Sequence, residues 1–264
     1  MEEEEEMSFL DHLEELRWRI VRSVIAILIA GVVIWFFKEW MIKNLFVAMT
    51  KTDFVSFRFM CEYLGICLDD IPVNFQSQKV GSQFSYALLL SLVGGTIVAF
   101  PFVFNQLWGF VKPGLRENEK QVVKGITWYV TFLFLLGVVF GYLVVAPLGI
   151  QFFGGFQISE DFQNIWTISS FMSLIISSVM FSGLLFLLPV IIYILSKIGM
   201  VTPEFLKKYR KHAIVGVLIL SALITPPDFI SQIIVSIPII LLYEVGIIVS
   251  GRVEKNRIKM LKVK

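Results

Sequence analysis

Charge is missing from long stretches of this chain. Ser23–Phe37, Val80–Val111, Gly125–Ser159 and Phe162–Ser196 contain no Asp, Glu, Lys or Arg. A bilayer core is about 30 Å thick and takes roughly 20 apolar residues to cross as a helix. Three of the stretches exceed that length, and the first reaches it by extending into its flanks. Backbone amides in lipid find no water to bond, so the stretches are expected to be helices. Hydrophobic residues make up 56% of the 264, above the usual share of about 45–50%, which predicts an all-α polytopic membrane protein. A Ser/Gly/Pro-rich linker is also lacking, so residues 1–264 read as a single transmembrane domain.

Histidine and cysteine are scarce, with two of each. His12 and His212 stand at the borders of apolar stretches with no nucleophile or metal partner and read as surface residues. No P-loop, HExxH or GxSxG motif occurs, so ATP hydrolysis and proteolysis lack their usual chemistry. No enzyme activity, cofactor, metal site or nucleic-acid partner is expected. Cys61 and Cys67 leave two readings open, a disulfide in an oxidising compartment or two free thiols in an apolar cap. With no His or further Cys nearby, they do not suit a metal.

The long apolar stretches also lack the ionisable relay that a proton-coupled solute carrier needs at midplane. A secondary transporter of a small solute stays as the alternative function. Its signature would be inverted repeats with matching broken helices, and no convincing internal match occurs. A membrane-assembly scaffold without a receptor site is a third reading.

The cations that are present are one-sided. With the N-terminus placed in the cytoplasm, 18 of the 23 Lys and Arg fall in cytoplasmic segments. The other five, Lys38, Lys43, Lys51, Arg58 and Lys79, lie in the first outside segment. This positive-inside bias predicts six crossings with both termini in the cytoplasm, in a bacterial inner membrane. The acidic N-terminus does not read as a cleavable signal peptide. Residues 1–7 read as a solvated acidic tail, with Met7 as an alternative start, and residues 38–79 as the one long periplasmic loop.

Ser8–Arg22 predicts an amphipathic helix on the cytoplasmic surface. Phe9, Leu13, Leu16 and Ile20 recur at helical spacing, and Ser8 is placed as N-cap. The second membrane helix is expected from about Gly81 to Trp108, broken at Gly94–Gly95 and Pro101. Gly137 and Gly141 form a GxxxG pair suited to close helix packing. The next helix carries a serine-rich face and Pro189. The last two apolar runs, Ala213–Thr225 and Ile230–Tyr243, span only about 20 Å each at 1.5 Å per residue, too short for a full core. Asp228 sits in a tight turn between them, placed to cap the last helix. Glu244 near its inner end is expected to snorkel or to pair with the Arg252 region. The inner loop Leu107–Lys124 sets Glu117 and Glu119 among bases. With Glu14 and Glu15 it offers carboxylates of the kind that bind guanidinium groups, although isolated acids among bases more often form internal salt bridges.

Three separated motifs, in order, resemble the TatC family, the multispanning receptor of the twin-arginine protein translocase. They are Phe9-x-x-His12-Leu13-x-Glu15-Leu16-Arg17-x-Arg19, then Pro101 followed by Trp108-x-Phe110-x-x-Pro113-x-Leu115-x-x-x-Glu119, then Thr225-Pro226-Pro227-Asp228-x-x-Ser231-Gln232 with Pro238 and Tyr243-Glu244. The resemblance runs from Ser8 to Gly251. It implies a concave, mitt-like bundle of six helices that binds twin-arginine signal peptides of folded precursors. It also implies single-span TatA- and TatB-type partners, a homo-oligomeric receptor complex in membrane lipid, and transport driven by the protonmotive force.

By motif position, Glu15 and Glu119 would contact the paired arginines. Phe110 and Pro113 would shape the loop, and Arg17 and Arg19 would anchor the N-terminal helix. Thr225 and Gln232, with Asp228 and Glu244 nearby, would form the partner-docking patch. One departure stands out. The family often carries a buried Glu or Gln before the proline of helix 4, where this chain reads Phe186-Leu187-Leu188-Pro189. The Cys-bearing outer loop is also larger than the resemblance leads one to expect.

Overall fold

In the computed structural model, which describes residues 9–64, 75–111, 125–159, 165–224 and 229–262, serines and a threonine join the buried apolar residues while many large apolar side chains stay on the outside. Ser23, Ser91, Thr131, Ser178, Ser182, Ser221 and Ser250 are buried, while Leu28, Ile29, Phe36, Phe132, Phe181 and Leu241 are exposed. Lipid tails solvate apolar side chains as well as a core would, so helices associate through small and polar residues instead. Among the described residues five helical stretches are long and apolar enough to cross a membrane: His12–Tyr63, Ser82–Phe110, Ile126–Gly155, Ile168–Lys197 and Ser231–Lys255.

The chain divides into two compact units, Met1–Glu39 with Phe84–Phe132, and Trp40–Gln83 with Leu133–Lys264. In the first unit, α1 (Phe9–Met41) and α3 (Ser82–Val111) run antiparallel: Arg19 meets Gln106, Gly31 meets Ser91 and Gly95, and Trp35 meets Phe84. The expected break at Gly94–Gly95 is absent, and α3 is continuous through both glycines and Pro101. Gly95 is instead the crossing point. A Cβ there would stand 2.6 Å from the Gly31 nitrogen and 2.7 Å from the Ile27 carbonyl oxygen. Glycine in a membrane helix lowers the surface so that two backbones can touch, and the neighbouring helix supports the weakened turn.

In the second unit, α1 gives way to a π-helical turn at Ile42–Phe46, a 3₁₀ turn at Val47–Thr50 and a short helix α2 (Val55–Leu64). The next crossing is α4 (Ile126–Phe140), a π-helical turn at Gly141–Val145, and α5 (Ala146–Gly155). A π turn widens the ladder and leaves carbonyls in search of donors. Here the two π turns help each other. Tyr142 Oη–H donates to the Leu45 carbonyl (3.0 Å), and the Ser56 hydroxyl donates to the Leu143 carbonyl. The outer segment is therefore more than a loop, since it carries α2 and a strand β1 (Phe75–Gln76). That strand pairs in parallel with β2 (Trp166–Thr167).

The expected GxxxG contact is made, with a serine-lined partner. A Cβ on Gly137 would lie 2.6 Å from the Ser182 carbonyl oxygen, and one on Gly141 would lie 2.7 Å from that of Ser178. The partner is α6 (Ile168–Leu185). The chain then breaks and resumes as α7 (Leu188–Lys197), with Pro189 in its first turn. Proline has no N–H to give the preceding turn, so the ladder restarts there. Just before Pro189, where the resemblance leads one to expect a Glu or Gln, Phe186 is buried against Phe140 at 5.3 Å. Leu188 packs against both apolar clusters of this unit, Val145–Val217–Val235–Ile239 and Ile192–Leu206–Tyr243–Ile247. The site is filled by hydrocarbon.

After α7 come α8 (Pro203–Lys208), α9 (Arg210–Ile224) and α10 (Phe229–Lys262). The first of the two short runs is indeed short: α9 has 15 residues, about 22 Å. The second is corrected. Its apolar part ends at Tyr243, but α10 continues for 34 residues, about 51 Å. Glu244 does not stop the helix because its charge is met by a partner on α9.

Candidate functional site

Polar residues of α1 pack. His12, Glu15 and Arg19 recur at i, i+3 and i+7 and are partly buried together with Leu16, whereas Leu13 and Ile20 are exposed. Arg19 is the hub. Its Nε and Nη2 donate to Glu15 Oε1 at 2.9 and 2.6 Å, and its Nη1 donates to the Gln106 carbonyl on α3 at 3.2 Å. Hydrogen bonds to charged groups are worth about 1.5–3 kcal/mol, and a cation near a helix C-terminus is favoured by the dipole. The guanidinium lies directly over Gly109, where a Cβ would come within 2.1 Å of Nη1. His12 stacks on Phe110 with ring centroids 4.2 Å apart and planes 17° apart.

The result is a carboxylate with two unequal oxygens. Glu15 Oε1 carries both Arg19 bonds. Oε2 is buried with no hydrogen-bond partner among the described residues, and His12 Nδ1 stands 3.9 Å from it. Further along α3, Phe100, Phe104 and Trp108 stack at 6.2 and 6.0 Å, and the Trp108 indole N–H is buried without an acceptor among the described residues. An unpaired carboxylate oxygen beside the His12–Phe110 stack is suited to a guanidinium, which can satisfy the oxygen and stack on the rings.

The predicted site residues divide as follows. Glu15, Arg19 and Phe110 are brought together in one unit. Arg17 is exposed and rests over its neighbour Trp18, with 5.6 Å from Cζ to the ring. It makes no contact to α3 among the described residues, whereas Arg19 reaches the Gln106 carbonyl there. Glu119 and Pro113 lie outside the described residues, as do Thr225, Asp228, Cys67 and the N-cap Ser8. Cys61, on α2, is disulfide-bonded. Gln232 is part-buried, and its Nε2 donates to the Leu218 carbonyl at 3.1 Å, stitching α9 to α10. Glu244 is corrected: its partner is Arg210 at 2.8 and 2.9 Å and not the Arg252 region. Arg210 begins the neighbouring helix and reaches across to α10, whereas Arg252 lies two turns further along α10 itself.

His12 read from the sequence as a surface residue but is partly buried against Phe110, and Gln106 and Gly109 were not singled out. The i, i+3, i+7 spacing of His12, Glu15 and Arg19 would have found the first. A backbone carbonyl and a glycine beneath a guanidinium leave no signal in a single sequence.

The family model for Sec-independent protein translocase protein (TatC) matches residues 11–238. A Sec-independent protein translocase protein TatC from Blattabacterium sp. subsp. Periplaneta americana is 37% identical over 263 residues, covering 97% of this chain and 99% of the relative. The protein of the same description from Halalkalibacterium halodurans is 34% identical, covering 99% of this chain and 96% of the relative. Among solved structures, a twin-arginine translocase receptor TatC superposes with a TM-score of 0.70 at 28% identity, covering 92% of this chain and 99% of that one.

Proposed function

The chain belongs to the TatC family and is a multi-pass receptor subunit of the twin-arginine translocase, and on that premise we propose that it reads the arginine pair of a precursor's signal peptide with Glu15 and Glu119. The observation that supports this is the buried, unpaired Oε2 of Glu15. Leaving a buried acceptor unmade costs about 1–3 kcal/mol, and an incoming guanidinium removes that cost. Arg19 already occupies Oε1, so Glu15 has room for one further cation. The second arginine of the pair then needs a second carboxylate, the role assigned to Glu119 by its motif position. His12 and Phe110 give the first guanidinium a flat surface to lie on.

The same premise extends to topology and partners. Six crossings with both termini in the cytoplasm follow from the positive-inside count, with α9 as the short crossing. TatA- and TatB-type single-span proteins dock on the Thr225–Gln232 edge of the last hairpin, several receptors assemble together, and the protonmotive force drives export. The solute-carrier alternative is set aside because the chain belongs to a protein-translocating family.

Photo-crosslinking of a twin-arginine signal peptide to the full chain in membranes tests the reading, with a Lys-Lys peptide as control. Glu15→Ala and Glu119→Ala are each expected to weaken crosslinking several-fold, and reversal of both charges to abolish it. Wild-type crosslinking by the double reversal would overturn the assignment.

A further inference from the structure

The turn between α7 and α9 is built as an amphipathic elbow. Gly199 takes φ = 81° and ends α7, and Thr202 caps α8 by accepting from the Phe205 N–H at 3.2 Å. Leu206 is buried with Ile192, Tyr243 and Ile247, and the Tyr243 hydroxyl donates to its carbonyl at 2.8 Å. With that side held down, the other side faces outward. Met200, Phe205 and Tyr209 are exposed, Met200 by 72%, and the Phe205 and Tyr209 rings pack at 4.6 Å. Lys207, Lys208 and Lys211 stand exposed among them. Arg210 is committed to Glu244, and none of the three lysines makes an ion pair among the described residues.

We propose that this elbow is a binding site for an anionic phospholipid. The three lysines take the phosphate and the exposed apolar side chains take the glycerol and upper acyl region. The location selects lipid over a soluble polyanion. Lys197, where the elbow starts, is the end of a membrane-crossing stretch, so the aromatic side chains lie at headgroup depth, where amphipathic side chains settle. Basic residues beside the ends of spans attract anionic headgroups. A solvated charged turn has no need of exposed Met and Phe side chains interleaved with its lysines.

The test uses the full chain, stripped of lipid in detergent and titrated with short-chain phosphatidylglycerol, phosphatidylcholine or inorganic phosphate, with bound lipid counted by native mass spectrometry. The wild type is expected to retain phosphatidylglycerol over phosphatidylcholine, and inorganic phosphate is expected not to displace it. Lys207→Gln, Lys208→Gln and Lys211→Gln together should lower retention by about fivefold for each lysine neutralised, and Phe205→Ala should lower it further. Lys43→Gln, Lys51→Gln and Lys79→Gln remove the same charge from exposed lysines elsewhere and should leave retention unchanged. Should the triple variant fold poorly, the three single variants carry the same comparison. Equal retention by the two triple sets would overturn the proposal, as would equal retention of the two lipids or full displacement by phosphate. Loss of a copurified acidic partner protein with no change in lipid would do so too.

Discussion

Glu15 shows how one side chain can be structural and receptive at once. Its Oε1 is bound by Arg19 while its Oε2 is buried and unpaired, so the first oxygen fixes the carboxylate and the second is open to a ligand. Gln232 uses its amide nitrogen within the hairpin, on the Leu218 carbonyl; in the proposed docking the amide oxygen is the atom offered to a partner helix. Hydrogen bonds between membrane helices are worth about 0.6–2 kcal/mol, enough to set the register of a partner but not to hold it alone. Gln232→Leu combined with Thr225→Val is expected to lower copurification of a co-expressed single-span partner several-fold, with peptide crosslinking at Glu15 retained. Gln232→Leu also removes the internal bond, so thermal unfolding of the isolated chain must be measured beside it. An undiminished partner yield from the double variant would place docking elsewhere.

At the scale of elements, glycine and serine do the work that leucine does in water. α1 and α3 touch at Gly31 and Gly95, and α4 meets α6 at Gly137 and Gly141; at Gly95, Gly137 and Gly141 backbone lies within 3 Å of where a Cβ would stand. Such contacts cannot be relieved by a rotamer change, because the obstacle is main chain. Gly95→Val and Gly141→Val are each expected to destabilise by about 1–3 kcal/mol, the usual range for overpacking. Gly216→Ala, at a position with open space, should be neutral. Thermal unfolding in detergent reads all three, and equal midpoints for Gly95→Val and the wild type would show that the two backbones do not meet. The paired π turns belong to the same scale. Tyr142 and Ser56 supply the donors that two widened helices require, so α2 is fastened to its unit by polar bonds.

For the whole molecule, the last hairpin reconciles short and long elements. α9 begins at Arg210, which pairs with Glu244, so α9 lies beside only the Phe229–Glu244 part of α10. The remainder of α10 runs on past the ion pair beside Leu206 and Ser196. With α9 as a crossing of about 22 Å against a core of about 30 Å, the bilayer beside it must thin or its flanks must snorkel. The proposed topology places α2 and Cys61 outside the cell membrane. An impermeant maleimide applied to intact cells is therefore expected to label the chain only after reduction, and Cys61→Ser with Cys67→Ser should leave export intact. Labelling without reductant would show free thiols, and no labelling after reduction would place the segment on the other side.

The sequence by itself determined the solvent of this protein and its family. Stretches without charge can only be helices in lipid, cations gather on one side, and three spaced motifs carry the receptor's signature. Those signals are local, each written within one helix or loop. Pro189 likewise announced its own break, because a missing N–H acts at its own turn. Contacts between distant segments were decided only in three dimensions. Arg210 and Glu244 are 34 residues apart, and nothing in either neighbourhood names the other. Gly94–Gly95 read as a break because intrinsic propensity is all that a single strand of sequence reveals, whereas the facing Gly31 turns the same residues into a crossing point. α1 read as an amphipathic surface helix from the spacing of its apolar residues; that its Arg19 reaches the Gln106 carbonyl, 87 residues further on, was decided only when α3 packed beside it.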